Sequence, residues 1–173
     1  MCDEDSFKDD LQQNKGFNRR QFHVLAASGT LLAMFPSLAT ANPKAVTERE
    51  VTITTPDGEA DAYFVHPTQG KHPAILVWPD ILGLRPAFRV MSKRLAEAGY
   101  AVLVINPYYR TAKAPVVPEG ASFRDETIRA LVRPMADQLN AQTHVTDARA
   151  FVSFIDQQSA VDTHRKILSL IHI

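Results

Sequence analysis

Cysteine is almost missing from this 173-residue chain: its one cysteine is Cys2, at the extreme N-terminus. No disulfide framework, cysteine-based metal site or thiol nucleophile can therefore be built from the residues that follow. Charge of one sign is also missing. Lys+Arg and Asp+Glu both number 19, and without residues 1–41 the counts are 15 and 14. A chain so balanced has no long-range field to steer a nucleic acid or an acidic polymer. The six histidines include no H-x-x-x-H or comparable ligand pair, so no metal is expected. Gly83 is the only glycine in the turn after the first long apolar run, and no G-x-G-x-x-G opens the helix beyond it, which argues against a dinucleotide cofactor. Repeats, heptads and low-complexity tracts are absent. A small-molecule partner is the expectation, with no cofactor.

What is present starts with a leader. Residues 1–22 are polar and end in Asn18-Arg19-Arg20-Gln21-Phe22, and Val24 to Ala41 is an uncharged, mostly apolar stretch closing in Ala39-Thr40-Ala41. A charged region, an apolar stretch and a small-x-small site make a secretory signal, and the Arg19-Arg20 pair resembles a twin-arginine export signal. Cleavage after Ala41 would leave residues 42–173 as an exported, periplasmic domain that meets the export machinery and touches the membrane only through its signal. An uncleaved membrane anchor is the alternative.

The rest of the chain is organised around residues 73–110. Ala74 to Trp78 is a continuous apolar run closed by Pro79-Asp80, as expected for a central strand covered on both faces. Pro86 marks a first helical residue. Phe88, Met91, Leu95 and Ala98 then form one apolar stripe, with Arg89, Lys93, Arg94 and Glu97 mostly opposite. Gly99 ends the helix, and Ala101 to Ile105 is a second buried strand. Strand, helix and strand in this order imply a parallel pair.

Upstream, Val51, Ile53, Ala60, Ala62 and Phe64 alternate with polar residues around Pro56-Asp57-Gly58, predicting an antiparallel hairpin at one edge of a mixed sheet. Downstream, the proline-rich passage 107–120 is a loop expected to overhang a pocket. A helical pattern interrupted at Pro134 covers 122–139. A cleaner helix over 140–157 places His144, Ala148, Phe151, Val152 and Ile155 on one face and Asp147, Arg149 and Asp156 toward water. Asp162 to Lys166 reads as a polar turn, and Ile167 to Ile173 as a third buried strand.

The segments Asp80-Ile81-Leu82-Gly83, Leu95-Ala96-Glu97-Ala98-Gly99-Tyr100 and Asn106-Pro107-Tyr108-Tyr109-Arg110 resemble the dienelactone hydrolase family of α/β-hydrolases, a likeness running from about Val51 to about Ile167. The resemblance implies an α/β fold, the N-terminal portion of an α/β-hydrolase, and cleavage of an ester or lactone of a small, carboxylate-bearing substrate. It implies that Asp80 is the carboxylate near the nucleophile, one methylene shorter than the family's usual glutamate. It also implies that the Ile81 N–H is an oxyanion donor and that Arg110, with Tyr108, lies close to the bound carboxylate. On their residue types alone, Asp80 reads equally as a turn residue, Arg110 as a solvated loop arginine, and Tyr108 and Tyr109 as packing residues.

The family's third strand ends in a G-x-[CS]-x-G elbow carrying a cysteine or serine nucleophile. None of Leu168 to Ile173 is a glycine, and Ser153, Ser159 and Ser169 lack glycine flanks. The expectation is a truncated domain without nucleophile, acid or catalytic histidine, inactive alone. The alternative is a non-catalytic exported protein that binds small molecules.

Overall fold

In the computed structural model, residues 43–170 are described; the expected signal, with Arg19, Arg20, Ala39 and Ala41, lies outside them. The strands are β1 (Val46–Thr55), β2 (Gly58–Pro67), β3 (His72–Trp78), β4 (Ala101–Ile105) and β5 (Val161–Leu170). The helices are α1 (Pro86–Glu97), α2 (Glu126–Ala136) and α3 (Ala141–Asp156). The described strands form one mixed sheet in the order β1-β2-β4-β3-β5. The hairpin of β1 and β2 is antiparallel, and β2 also runs antiparallel to β4. Strand β3 runs parallel to both β4 and β5. The expected α/β sheet, with its edge hairpin and central parallel pair, is what the chain forms.

Strand side chains alternate between faces, so each central strand feeds two cores. Ala74, Leu76 and Trp78 of β3 and Ala101, Leu103 and Ile105 of β4 meet Phe151 and Ile155 of α3 on one face. Ile75, Val77, Val102 and Val104 meet Phe88 and Ala96 of α1 on the other. Burial on both faces is why these strands read as unbroken apolar runs rather than as alternating ones.

Helix α1 starts with Pro86 at its first turn, as expected, but the residues fully buried on its inner face are Phe88, Ser92 and Ala96, while Ala98 is exposed. Small side chains there let the helix approach the sheet, and the Ser92 hydroxyl is satisfied by donating to the Phe88 carbonyl at 2.7 Å. Gly99 follows at φ +110°, the left-handed conformation that ends the helix. Helix α2 starts later than its pattern suggested, because the Asp125 carboxylate caps it by accepting from the Thr127 N–H at 2.8 Å. Asn140 and Thr143 form a reciprocal capping box at the start of α3.

Two expectations are corrected. Asp147, placed toward water by the helical pattern, is 1% exposed. Its neighbour across the helix surface is an arginine from a distant loop, described below. The predicted polar turn at 162–166 belongs instead to β5, which starts at Val161. His72 and Pro73 pair with Val161 and Asp162, and Ala74 then pairs with Lys166, so Thr163, His164 and Arg165 bulge out of the ladder.

Candidate active site

The carboxyl ends of β3 and β4 carry two loops that are built against each other. After β3, the chain turns at Pro79-Asp80-Ile81-Leu82-Gly83. The Asp80 carbonyl accepts from the Gly83 N–H at 2.8 Å, and its carboxylate Oδ1 accepts from the Leu82 N–H at 3.0 Å, an aspartate-stabilised turn. Gly83 has φ +72°, and a Cβ there would lie 3.3 Å from Val116 Cγ2 and 3.4 Å from the Tyr108 ring. Only glycine satisfies both the backbone and the close approach.

Asp80 is 6% exposed, and a carboxylate so buried needs a partner. Arg85 supplies it in a two-pronged pair, Nη1 to Oδ1 at 2.5 Å and Nη2 to Oδ2 at 2.6 Å, while its guanidinium also lies 4.9 Å from the centre of the Phe88 ring. Arg85 stands immediately before α1, so the helix that follows the turn also fixes the carboxylate. Ile81 is half-buried. Its carbonyl accepts from the Tyr108 hydroxyl at 2.8 Å, whereas its N–H meets no acceptor among the described residues. A peptide held by its oxygen with its N–H left open is the arrangement an oxyanion donor requires.

Tyr108 belongs to the second loop. It is 3% exposed, and burial first, then the nearby Asp80 charge, push its phenol up to about 12. Its position braces the Asp80 turn, a role that the sequence did not suggest. Leu82, Tyr108, Val117, Ile128 and Val132 form a small third core that holds the proline-rich loop and α2 over this end of the sheet.

The same loop is anchored by Asn106 and Asp61, a pair missed in the sequence. Asn106 is fully buried; its Nδ2 donates to Asp61 Oδ1 at 2.9 Å and to the Ala112 carbonyl at 2.8 Å, and its Oδ1 accepts from the Tyr108 N–H at 3.0 Å. Asp61 Oδ2 accepts from the Ala114 N–H at 2.9 Å. An Asn-Pro-Tyr motif at a strand end was the available signal.

Arg110 reaches away from the turn. Its Nη1 donates to Asp147 Oδ2 at 2.9 Å and its Nη2 to Asp147 Oδ1 at 2.6 Å. Nε and Nη2 donate to Asp57 Oδ2 at 3.1 and 2.6 Å. The guanidinium lies 4.5 Å from the centre of the Tyr109 ring, and the Tyr109 hydroxyl donates to Asp147 Oδ1 at 2.7 Å. Hydrogen bonding to Asp147 raises the Arg110 pKa further above its ordinary value. Burial pushes the Tyr109 phenol up to about 12, with the Asp147 bond and charge adding to the rise and the Thr55 bond opposing it. One arginine thus ties the β1–β2 turn, the loop after β4 and helix α3 together.

Beside this cluster, His144 stacks on Trp78 with ring centroids 5.1 Å apart and donates from Nδ1 to the Asn140 carbonyl at 2.8 Å. His72 sits at the opposite end of β3, bonded to the Gln69 and Gly99 carbonyls. Among the described residues no three metal-ligating side chains gather.

This strand order and these two loops can be compared with known proteins. The family model for the dienelactone hydrolase family matches residues 60–168, more than half of the chain. The chain belongs to the dienelactone hydrolase family. No curated protein sequence matches it. Among solved structures it is similar to a protein from Klebsiella pneumoniae subsp. pneumoniae assigned as a dienelactone hydrolase, with 21% identity and a TM-score of 0.62 over 74% of this chain and 50% of that one. It is similar to m3DLH, with 24% identity and a TM-score of 0.57 over 75% and 50% of the two chains. It is also similar to a dienelactone hydrolase-like promiscuous phosphotriesterase from metagenomic libraries, with 20% identity and a TM-score of 0.55 over 75% and 49%. At these identities the likeness is one of fold. The chain spans about half the length of each of these dienelactone-hydrolase-like structures.

Proposed function

We propose that this chain carries the carboxylate-and-amide half of an acyl-transfer site in a hydrolase that cleaves small esters or lactones. The observation that carries the reading is the Ile81 peptide. Its N–H is open, its carbonyl is braced by Tyr108, and it follows a buried carboxylate at the end of a central parallel strand, where such sheets build their sites. Asp80, held by Arg85, is the carboxylate that this reading puts near the nucleophile, helping to set that group's protonation. Membership of the dienelactone hydrolase family supports hydrolytic chemistry over dinucleotide or metal chemistry.

Acyl transfer by this route also needs a nucleophile and a base. No serine or cysteine in the 173 residues has the glycine flanks of an elbow, so the nucleophile, acid and histidine are proposed to come from sequence outside this chain. Export through the twin-arginine route to the periplasm is part of the same proposal, resting on Arg19-Arg20, the apolar stretch after them and Ala39-Thr40-Ala41. The test is p-nitrophenyl acetate hydrolysis by the purified chain and by a longer product of the same gene. The chain alone is expected to match its denatured control, and the longer product to turn over. Turnover by the chain alone would overthrow the assignment of the nucleophile to sequence outside it.

A further inference from the structure

Resting on that hydrolase reading, we infer that Trp78 is a positioning residue: its buried indole N–H is the donor that fixes the chain leaving β5, the segment proposed to carry the nucleophile, beside the Asp80 turn. The indole nitrogen carries this. Trp78 is the last residue of β3 and is 5% exposed. Its Nε1 is the one buried side-chain polar atom among the described residues that has no hydrogen-bond partner. An indole can only donate, and a buried donor without an acceptor is costly, so such a group calls for an explanation.

The packing around the ring excludes the acceptors already present. His144 stacks on the indole with planes 21° from parallel, so the imidazole offers its face, and its Nδ1 is engaged by the Asn140 carbonyl. Phe151 meets the indole at 64° and has no acceptor. On the β4 side the same core continues through Leu103 and Ile105, which have none either. On the other side β3 runs parallel to β5, and Trp78 pairs with Leu170, the last residue of that strand. The chain that follows β5 therefore leaves the sheet next to Trp78, with only Pro79 between Trp78 and Asp80. Strand β3 would thus serve the site twice. The turn after it holds the carboxylate and the Ile81 amide, and its last side chain holds the segment that must meet them. The indole is suited to this because it is rigid: it is stacked on His144 at the start of α3, which the Asn140–Thr143 capping box fixes. Precision there matters, since misplacing a reacting group by on the order of 1 Å costs about a hundredfold in rate.

The test follows the Trp78 indole N–H by NMR in the ¹⁵N-labelled chain and in the longer product of the same gene. The chain has one tryptophan and gives one indole signal; in the longer product the signal is assigned through the backbone. The expected result is an unbonded N–H in the chain, and a downfield shift with slower solvent exchange in the longer product. An N–H already bonded in the chain, as to a buried water, would overturn the inference, and so would identical shift and exchange in the two proteins. A second arm uses Trp78→Phe in the longer product, which keeps an aromatic ring against His144 and Phe151 but removes the donor. Its kcat for p-nitrophenyl acetate is expected to fall about three- to tenfold, the scale of one hydrogen bond, with KM unchanged. A raised KM with unchanged kcat would move the N–H onto the substrate, and wild-type kinetics would remove its role; either result overturns the inference while the hydrolase reading stands. Should Trp78→Phe not fold, the indole signal decides alone. A longer product without hydrolysis, or a gene that ends with Ile173, would sink the reading and the inference with it.

Discussion

Asp147→Asn should destabilise this fold far more than Asp57→Asn, although both carboxylates bind the same arginine. Removing one member of a buried ion pair costs about 3–5 kcal/mol, because the other charge is left without compensation in a poorly solvated place. Two contacts moderate that figure here. Arg110 is 18% exposed and keeps Asp57, and the Tyr109 hydroxyl keeps Thr55 at 2.8 Å. The asparagine oxygen can also still accept one bond. A loss of about 2–3 kcal/mol follows from these corrections. Asp57 is 43% exposed, and neutralising it should cost about 0–1 kcal/mol, as for an ordinary surface pair. Urea unfolding followed by the fluorescence of Trp78, the lone tryptophan, reads both variants on one scale. Trp78 is 5% exposed and shares a core with Tyr109 and Phe151, so it reports on the region that the clamp holds. Equal losses in the two variants would refute the reasoning, since burial of Asp147 is its whole basis.

Two further outcomes follow from the site geometry. Gly83→Ala should cost about 1–3 kcal/mol in the same unfolding assay, because its φ of +72° disfavours a side chain and the new Cβ would press on Val116 and Tyr108; a change under about 0.5 kcal/mol would show that the turn relaxes freely. Alkaline titration should also unfold the protein. Tyr108 and Tyr109 both titrate at about 12 when folded, against 10.0 for the free phenol. A folded pKa raised in this way favours the protonated form, so its contribution is complete below about pH 10 and is lost as pH rises toward 12. Absorbance of tyrosinate should therefore rise together with loss of Trp78 burial in that window, and ionisation of Tyr108 and Tyr109 along the curve of a free phenol, half complete at about pH 10 in a still-folded protein, would contradict it.

The strands at the centre were legible because burial on both faces writes a continuous apolar run, and β3 and β4 needed no partner information to be recognised. The hairpin was legible for the complementary reason at its edge strand, since β1 keeps one exposed face and alternates toward Pro56-Asp57-Gly58, whereas β2 is buried on both faces, with Tyr63 and Val65 facing α1. What stayed hidden depends on pairs that are distant in sequence. Asp147 looked like any polar residue on the outer side of α3, and only Arg110, 37 positions earlier, makes it a buried anchor. Asn106 and Asp61 are 45 positions apart and face the same difficulty. Ser92 and Ala96 were passed over because the larger Met91 and Leu95 drew the stripe one position round the helix, although it is the smallness of Ser92 and Ala96 that brings α1 onto the sheet. The start of β5 was missed since Thr163 to Lys166 are exposed and polar, and nothing local marks a bulged strand. The Asp80 turn lay between these cases. Its position after a central strand was readable, and Arg85 stands only five residues on, but their pairing is a product of the turn that Gly83 permits.

The most direct test of the central claim, that this chain is the carboxylate-and-amide half of a two-part hydrolase site, is a long sequencing read of the source DNA across the codons for Arg165 to Ile173 and well beyond. The account predicts a reading frame that continues from β5 into a glycine-flanked cysteine or serine, with an aspartate and a histidine further on. A confirmed stop codon directly after Ile173 would contradict it, leaving Asp80 and Ile81 without a nucleophile to serve.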